Sequence, residues 1–189
     1  MKKMLALLTA LALMLTCAAA FAEGAEEKQE IGTVRVNGAF SLKAKIPEGY
    51  VYHTLDMEEG VSFTGQVTNP DDINAPTMLI NVYLNDSIEP GVRLNDLTEE
   101  ELKNIEATFQ ADNEVSITYT ETHLGTKLLQ VTEVGDDPDW VDFYSIYEGY
   151  EIEMILGFQP GAENPVLTDE MIGKAIQFLT DLDFVKTEE

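Results

Sequence analysis

From residue 31 onward, apolar and polar residues alternate along the chain, a period of two that marks strands with one buried face. Val61, Phe63 and Val67 alternate with Ser62, Thr64 and Gln66, and Met78, Ile80, Val82 and Leu84 form one face of the next run. Val115, Ile117 and Tyr119 alternate with Ser116, Thr118 and Thr120, and Ile152, Met154, Leu156 and Phe158 repeat the pattern near the end. Turn formers separate these runs: Pro47-Glu48-Gly49, Asn69-Pro70-Asp71-Asp72, Leu124-Gly125, Gly135-Asp136-Asp137-Pro138 and Glu148-Gly149. The gaps are short, so antiparallel hairpins are predicted; a parallel crossover needs about a dozen residues or more.

Two segments break the period. Thr98-Glu99-Glu100-Glu101 is a capping box, and Leu102, Ile105 and Phe109 follow at helical spacing. A second helix is predicted from Thr168, where Ile172, Ala175, Ile176 and Leu179 make an i, i+3, i+4, i+7 stripe. Met171 and Phe178 widen that stripe, so this helix is expected to lie deep against a sheet. Strands with two helices and no dividing linker predict one α+β domain over residues 31–189, an antiparallel sheet flanked by helices. Leu97-Thr98-Glu99-Glu100 and Leu167-Thr168-Asp169-Glu170 are alike because both open a helix by the same capping chemistry, not because a unit is duplicated.

The first residues follow another logic. Lys2 and Lys3 precede an apolar run from Met4 to Leu15, and Ala20-Phe21-Ala22 fits a small-x-small cleavage site, so residues 1–22 read as a signal peptide. The run is shorter than the roughly 20 apolar residues that span a bilayer, and no membrane span is expected. The destination expected is secretion or the space outside the cytoplasm. A lipoprotein anchored through Cys17 is the minor alternative, because Met14 and Thr16 stand where that processing favours Leu and a small residue. Glu23 to Glu30, charged and poor in apolar residues, is expected to form a flexible leader.

Charge narrows the partners. The chain carries 35 acidic residues against 11 basic ones, a net −24; cleavage after Ala22 removes two lysines and no acid, which makes −26. Such a field repels the phosphates of nucleic acid and anionic membrane surfaces. The expected partner is a protein or small ligand that is cationic rather than anionic, and the expected state is a monomer. Loss of Cys17, the only cysteine, leaves no disulfide, no thiol nucleophile and no Cys-based zinc site.

Several stretches carry a family likeness: Phe40-Ser41-Leu42-Lys43-Ala44-Lys45-Ile46-Pro47-Glu48-Gly49-Tyr50, the capped helix from Thr98, the hairpin Glu148-Gly149-Tyr150-Glu151-Ile152, and the closing helix from Thr168 followed by Asp181-Leu182-Asp183-Phe184. Together they resemble the PsbP/Mog-type α/β/α sandwiches, including secreted bacterial members with no assigned function. The resemblance implies a sheet between helical layers. Its members serve as accessory subunits, small-GTPase binders and envelope proteins, so fold does not fix activity, and no family site maps onto these residues.

Candidate chemistry is sparse. There is no G-x-S-x-G elbow and no glycine-rich phosphate loop, and the two histidines, His53 and His123, lack companions. Carboxylates remain. The acidic turn Asp136-Asp137-Pro138-Asp139-Trp140-Val141-Asp142 offers Asp136, Asp137, Asp139 and Asp142 as a candidate calcium site, against the plainer reading of a solvated turn. Asp71, Asp72 and Asn74 form a weaker loop of the same kind. Trp140, Tyr144, Tyr147 and Tyr150 crowd one hairpin and form a candidate ligand or partner surface, with core packing as the alternative. Alternation puts Trp140, Tyr144 and Ile146 on one face, and Phe143 and Tyr147 on the other. The expectation is a secreted, non-enzymatic binding module of the bacterial envelope. A calcium-binding envelope protein and a small carboxylate-dependent hydrolase are the alternatives, and calcium is the one candidate cofactor.

Overall fold

A computed structural model describes residues 28–35, 39–55, 61–85, 87–111, 114–122, 125–135 and 137–186. The expected signal peptide, Cys17, His123 and Asp136 lie outside the described residues. The strands are β1 (Gln29–Arg35), β2 (Ala39–Ala44), β3 (Val51–Thr54), β4 (Val61–Thr68), β5 (Thr77–Leu84), β6 (Val115–Glu121), β7 (Lys127–Glu133), β8 (Val141–Tyr147), β9 (Tyr150–Gly157) and β10 (Asp183–Lys186). The helices are α1 (Glu99–Gln110) and α2 (Asp169–Thr180), with a 3-10 turn at Leu94–Asp96.

The alternating runs assemble into a seven-stranded antiparallel sheet of order β3-β4-β5-β9-β8-β7-β6, and β1-β2-β10 form a separate three-stranded antiparallel sheet. Register fixes the faces. Val67, Met78 and Leu156 stand beside one another across β4, β5 and β9, and Ile80, Met154 and Phe143 across β5, β9 and β8. These residues pack with Leu42 and Ala44 of the small sheet and with Ala175, Phe178 and Leu179 of α2 in one continuous core. The small sheet and α2 therefore cover one face of the large sheet.

A second core lies on the opposite face and spans only part of it. Leu129, Val131, Tyr144 and Ile146 of β7 and β8 pack against Leu102, Ile105 and Phe109 of α1, with Leu94 of the 3-10 turn fully buried among them. The result is a two-sided β8, buried from Val141 to Ile146, as its apolar character on both faces predicts. Phe143 enters the first core, whereas Tyr144, Ile146 and Trp140 enter the second.

Both helix starts follow the capping chemistry. Thr98 Oγ1 accepts from Glu101 N at 3.3 Å, while Glu101 Oε2 accepts from Thr98 N at 2.7 Å; Thr168 Oγ1 accepts from Met171 N at 3.3 Å. The two differ in depth. Helix α2 buries Ala175, Phe178 and Leu179, whereas α1 buries no residue fully and lies shallow. One boundary needs correcting: β1 begins at Gln29, inside the expected leader, with Gln29 opposite Ala44 and Glu30 opposite Lys43. Ladder pairing with β2, helped by the Lys28–Asp183 ion pair at 2.9 Å, orders polar residues that composition alone assigns to a leader. No described helix is long and apolar enough to cross a membrane.

Candidate functional site

Because α1 covers only the β6–β8 half of the second face, the β4, β5 and β9 half of that face is mostly polar, with Leu79 and Ile155 as its apolar members. Register places Thr64, Asn81, Glu153 and Tyr144 side by side on four neighbouring strands, and Tyr83 beside Glu151. The row is bonded throughout. Thr64 Oγ1 donates to Asn81 Oδ1 at 3.1 Å, and Asn81 Nδ2 donates to Glu153 Oε2 at 3.2 Å. Tyr83 OH donates to the same Glu153 oxygen at 3.0 Å, and Tyr144 OH donates to Glu151 Oε1 at 2.5 Å. Burial raises the Tyr83 and Tyr144 hydroxyls above the usual phenol range, and the carboxylates they serve raise them further, so both stay donors. Two carboxylates are thus held in fixed positions by three neutral donors. Among the described ion pairs, none joins Glu151, Glu153 or Asp142 to a Lys or Arg.

Asp142 closes the inner end of this strip. It points to the same face from β8, is 9% exposed, and its Oδ1 has no hydrogen-bond partner among the described residues. Burial and then the Glu153 charge push its carboxyl up to about 8, against a smaller opposing effect of the Phe143 N–H. An ionised carboxylate so deprived of partners is costly, and the group holds a proton at neutral pH.

Beside the strip lies a cavity of about 520 Å³ between Asn85, the 87–97 segment, α1 and the sheet. Tyr144, Ile146 and Glu151 form its sheet side, with Ile88, Val92, Leu97 and Ile105 as apolar walls and Glu89, Asp96 and Glu101 as further acids. No Lys or Arg is among the described residues that line it. The 87–97 wall is tied to the β8–β9 hairpin: Gly149 N donates to Val92 O at 2.9 Å, and Arg93 pairs with Glu148 at 3.1 Å while its guanidinium sits 5.3 Å from the Tyr147 ring centre. Gly149 has φ +88°, and a Cβ there would stand 3.0 Å from Glu89 O, so only glycine admits this contact. A hollow of about 470 Å³ on the α2 side has a rim of mixed sign, with Glu48, Asp72 and Lys174.

The residues singled out from sequence are dispersed. Asp137 and Asp139 are exposed in the turn before β8, and Asp142 is turned inward on the strand. No group of three His, Cys, Asp or Glu residues placed to hold a metal occurs among the described residues. Asp71 and Asp72 are exposed, with Asp72 Oδ1 accepting from Asn74 N at 3.0 Å in a local turn. The aromatic four divide between faces: Trp140 and Tyr144 pack toward α1, Tyr150 is buried in the α2 core, and Tyr147 stacks at 4.8 Å on Phe184 of β10. They form no common surface. The strip Glu151, Glu153 and Asp142 with Tyr83 and Asn81 was missed, although its signal was present. Glu151 and Glu153 alternate with Ile152 and Met154, and Asp142 sits between Val141 and Phe143 in an otherwise apolar strand.

Neither a protein-family model nor a curated protein matches the chain. Among solved structures it is similar to a crystal structure of a protein from Bacteroides thetaiotaomicron VPI-5482, at 12% identity and a TM-score of 0.39, over 78% of this chain and 46% of that one. The chain spans less than half the length of that neighbour, and the likeness carries no weight for fold or function.

Proposed function

We propose that the chain is a non-enzymatic binding module acting outside the cytoplasm, a PsbP/Mog-like sandwich whose ligand presents a cationic group to the cavity beside the acidic strip. The observation that carries this reading is the lining of that cavity: Glu89, Asp96, Glu101 and Glu151 with four aliphatic walls and, among the described residues, no basic one. Carboxylates on a partly apolar floor suit a ligand with a charged head and an aliphatic body. The excess of acid over base in the whole chain steers such a cation toward the surface.

Calorimetric titration of the purified chain with n-butylammonium, and separately with butyrate, tests this at physiological salt. Saturable binding of the cation, about tenfold weaker in Glu151→Gln and unchanged in the remote exposed Glu170→Gln, is expected. Equal response to the anion, or no response to either, overturns the proposal. A second reading, a small carboxylate-dependent hydrolase, draws on Asp142 and Glu153: one carboxyl kept protonated by burial beside another is the arrangement of acid–base pairs. Turnover of a glycoside or ester substrate that vanishes in Asp142→Asn would replace the binding module with this reading.

A further inference from the structure

The binding reading leaves open how many charges the ligand carries, and the strip beside the cavity bears on that. Glu151 and Glu153 lie two residues apart on one face of β9, so their attachment points are spaced by about 6.7 Å along the strand. Each is fixed by a tyrosine hydroxyl, and Glu153 by Asn81 as well, so the spacing is held rather than adjustable. One of the two, Glu151, lines the cavity, and Glu153 continues the line outside it along β9, across from Asn81 of β5. Asp142, nine-tenths buried with an unpartnered oxygen, adds a third carboxyl to the strip from the next strand. Two ionised carboxylates with only neutral donors around them, and the protonated Asp142 behind them, form half of a charge-paired arrangement.

Resting on the binding reading above, the geometry points to a linear polyamine as the ligand, with one ammonium group at Glu153, a second at Glu151, and its methylene chain running on into the cavity between Ile88, Leu97, Ile105 and Ile146. Ammonium groups separated by methylenes match carboxylates separated by a strand repeat, and the methylenes that run on past Glu151 are apolar where the walls are. A lysine-rich peptide fits less well: it brings backbone carbonyls against a floor of carboxylate acceptors, which offers them no donor. A divalent metal is also a poorer match, because no three carboxylates among the described residues converge on one point.

The test is a ligand series against the whole chain, in calorimetry at physiological salt: n-butylamine, ethylenediamine, putrescine and spermidine. Putrescine and spermidine are expected to bind at least about tenfold more tightly than n-butylamine, and ethylenediamine, whose heads are too close together to reach both carboxylates, no better than the monoamine. Glu153→Gln is expected to erase the advantage of the diamine while leaving n-butylamine binding unchanged. Glu99→Gln with Glu100→Gln, on the exposed first turn of α1, is expected to change neither. If n-butylamine binds and the longer amines gain nothing, the cation-binding reading survives and the polyamine assignment falls. If none of the amines binds, both fall. If spermidine gains affinity equally in the parent and in Glu153→Gln, it is held by diffuse surface charge, and the strip is not its site. A basic peptide that binds more tightly than spermidine and competes with it also overturns the assignment. The parent chain alone answers the first comparison, so a poorly folding variant does not shield the proposal.

Discussion

Replacing Asp142 with Asn probes the most unusual group in the fold. Its carboxyl is lifted from an ordinary 3.8 to about 8, first by burial and then by Glu153, so the folded chain binds a proton that the unfolded chain releases between those values. Stability therefore falls as pH rises through this window, at about 1.4 kcal/mol per unit, and stays level above it. Across the whole window the loss is on the order of 5 kcal/mol, a large part of the stability of an ordinary domain. The Asn variant cannot ionise, and this component of the slope disappears. Its carboxamide inherits the unpartnered Oδ1 position, a penalty that the protonated parent already bears. Parent and variant are therefore expected to be similar near pH 4, and the variant more stable by a few kcal/mol near pH 8. Urea unfolding of both chains at steps across that range measures the difference directly. Subtraction removes every other titrating group. Two curves that run parallel within about 1 kcal/mol would refute the burial argument, and would mean that water or a neighbour satisfies Asp142 in solution.

The remaining predictions concern the surface, the cavity wall and a helix start. Self-repulsion at a net charge of −24, or −26 without the first 22 residues, is expected to make the melting temperature rise with added sodium chloride; a flat response between low and moderate ionic strength means the charges are too dispersed to matter. Gly149→Ala forces a side chain into the left-handed region, at about 1–2 kcal/mol, and against Glu89 O. Its cavity wall shifts with it, so a lower melting temperature and weaker n-butylammonium binding are expected together. Thr98→Ala removes one half of the α1 capping box and is expected to cost about 1 kcal/mol in urea unfolding, with α2 untouched.

What sequence shows of this fold follows from how locally each feature is encoded. Caps are set within four residues, and Thr98 and Thr168 start their helices where the hydroxyl spacing places them. Strand faces are set by alternation, and the division of Phe143 from Trp140, Tyr144 and Ile146 across β8 was readable from it. Partition of strands between two sheets was not readable. Residues 29–44 and 183–186 alternate no differently from the rest, and only long-range pairing of β10 with β2 separates them into a sheet of their own. The acidic strip failed to appear for the same reason. Glu151 and Glu153 look like an ordinary solvated face until the β8–β9 hairpin brings Tyr144 and Asp142 beside them and β5 brings Asn81 and Tyr83, the latter a placement that needs register across sequence separations of about 70 residues.

Acidity thus has two components in this chain, and they respond to different variables. The exposed carboxylates of the turns and of the first helical turns act through a field that salt screens over about 8–10 Å. Asp142 and Glu153 are set into the sheet, where salt reaches poorly and only a group in contact can compensate them. If the strip were merely more of the surface field, concentrated salt would flatten the pH dependence of the parent toward that of Asp142→Asn. If the strip is a cation site, salt leaves that dependence largely in place. A saturating polyamine instead lowers the proton affinity of Asp142, because a positive charge beside it favours its ionised form. Linkage then makes binding and proton release one event: the affinity of the ligand rises with pH up to about 8 and levels off above, where Asp142 is ionised even without the ligand. A cation held by the exposed carboxylates alone shows no such rise, since these are ionised throughout that range. The part of the sheet that holds an uncompensated carboxyl is therefore where a bound cation gains most.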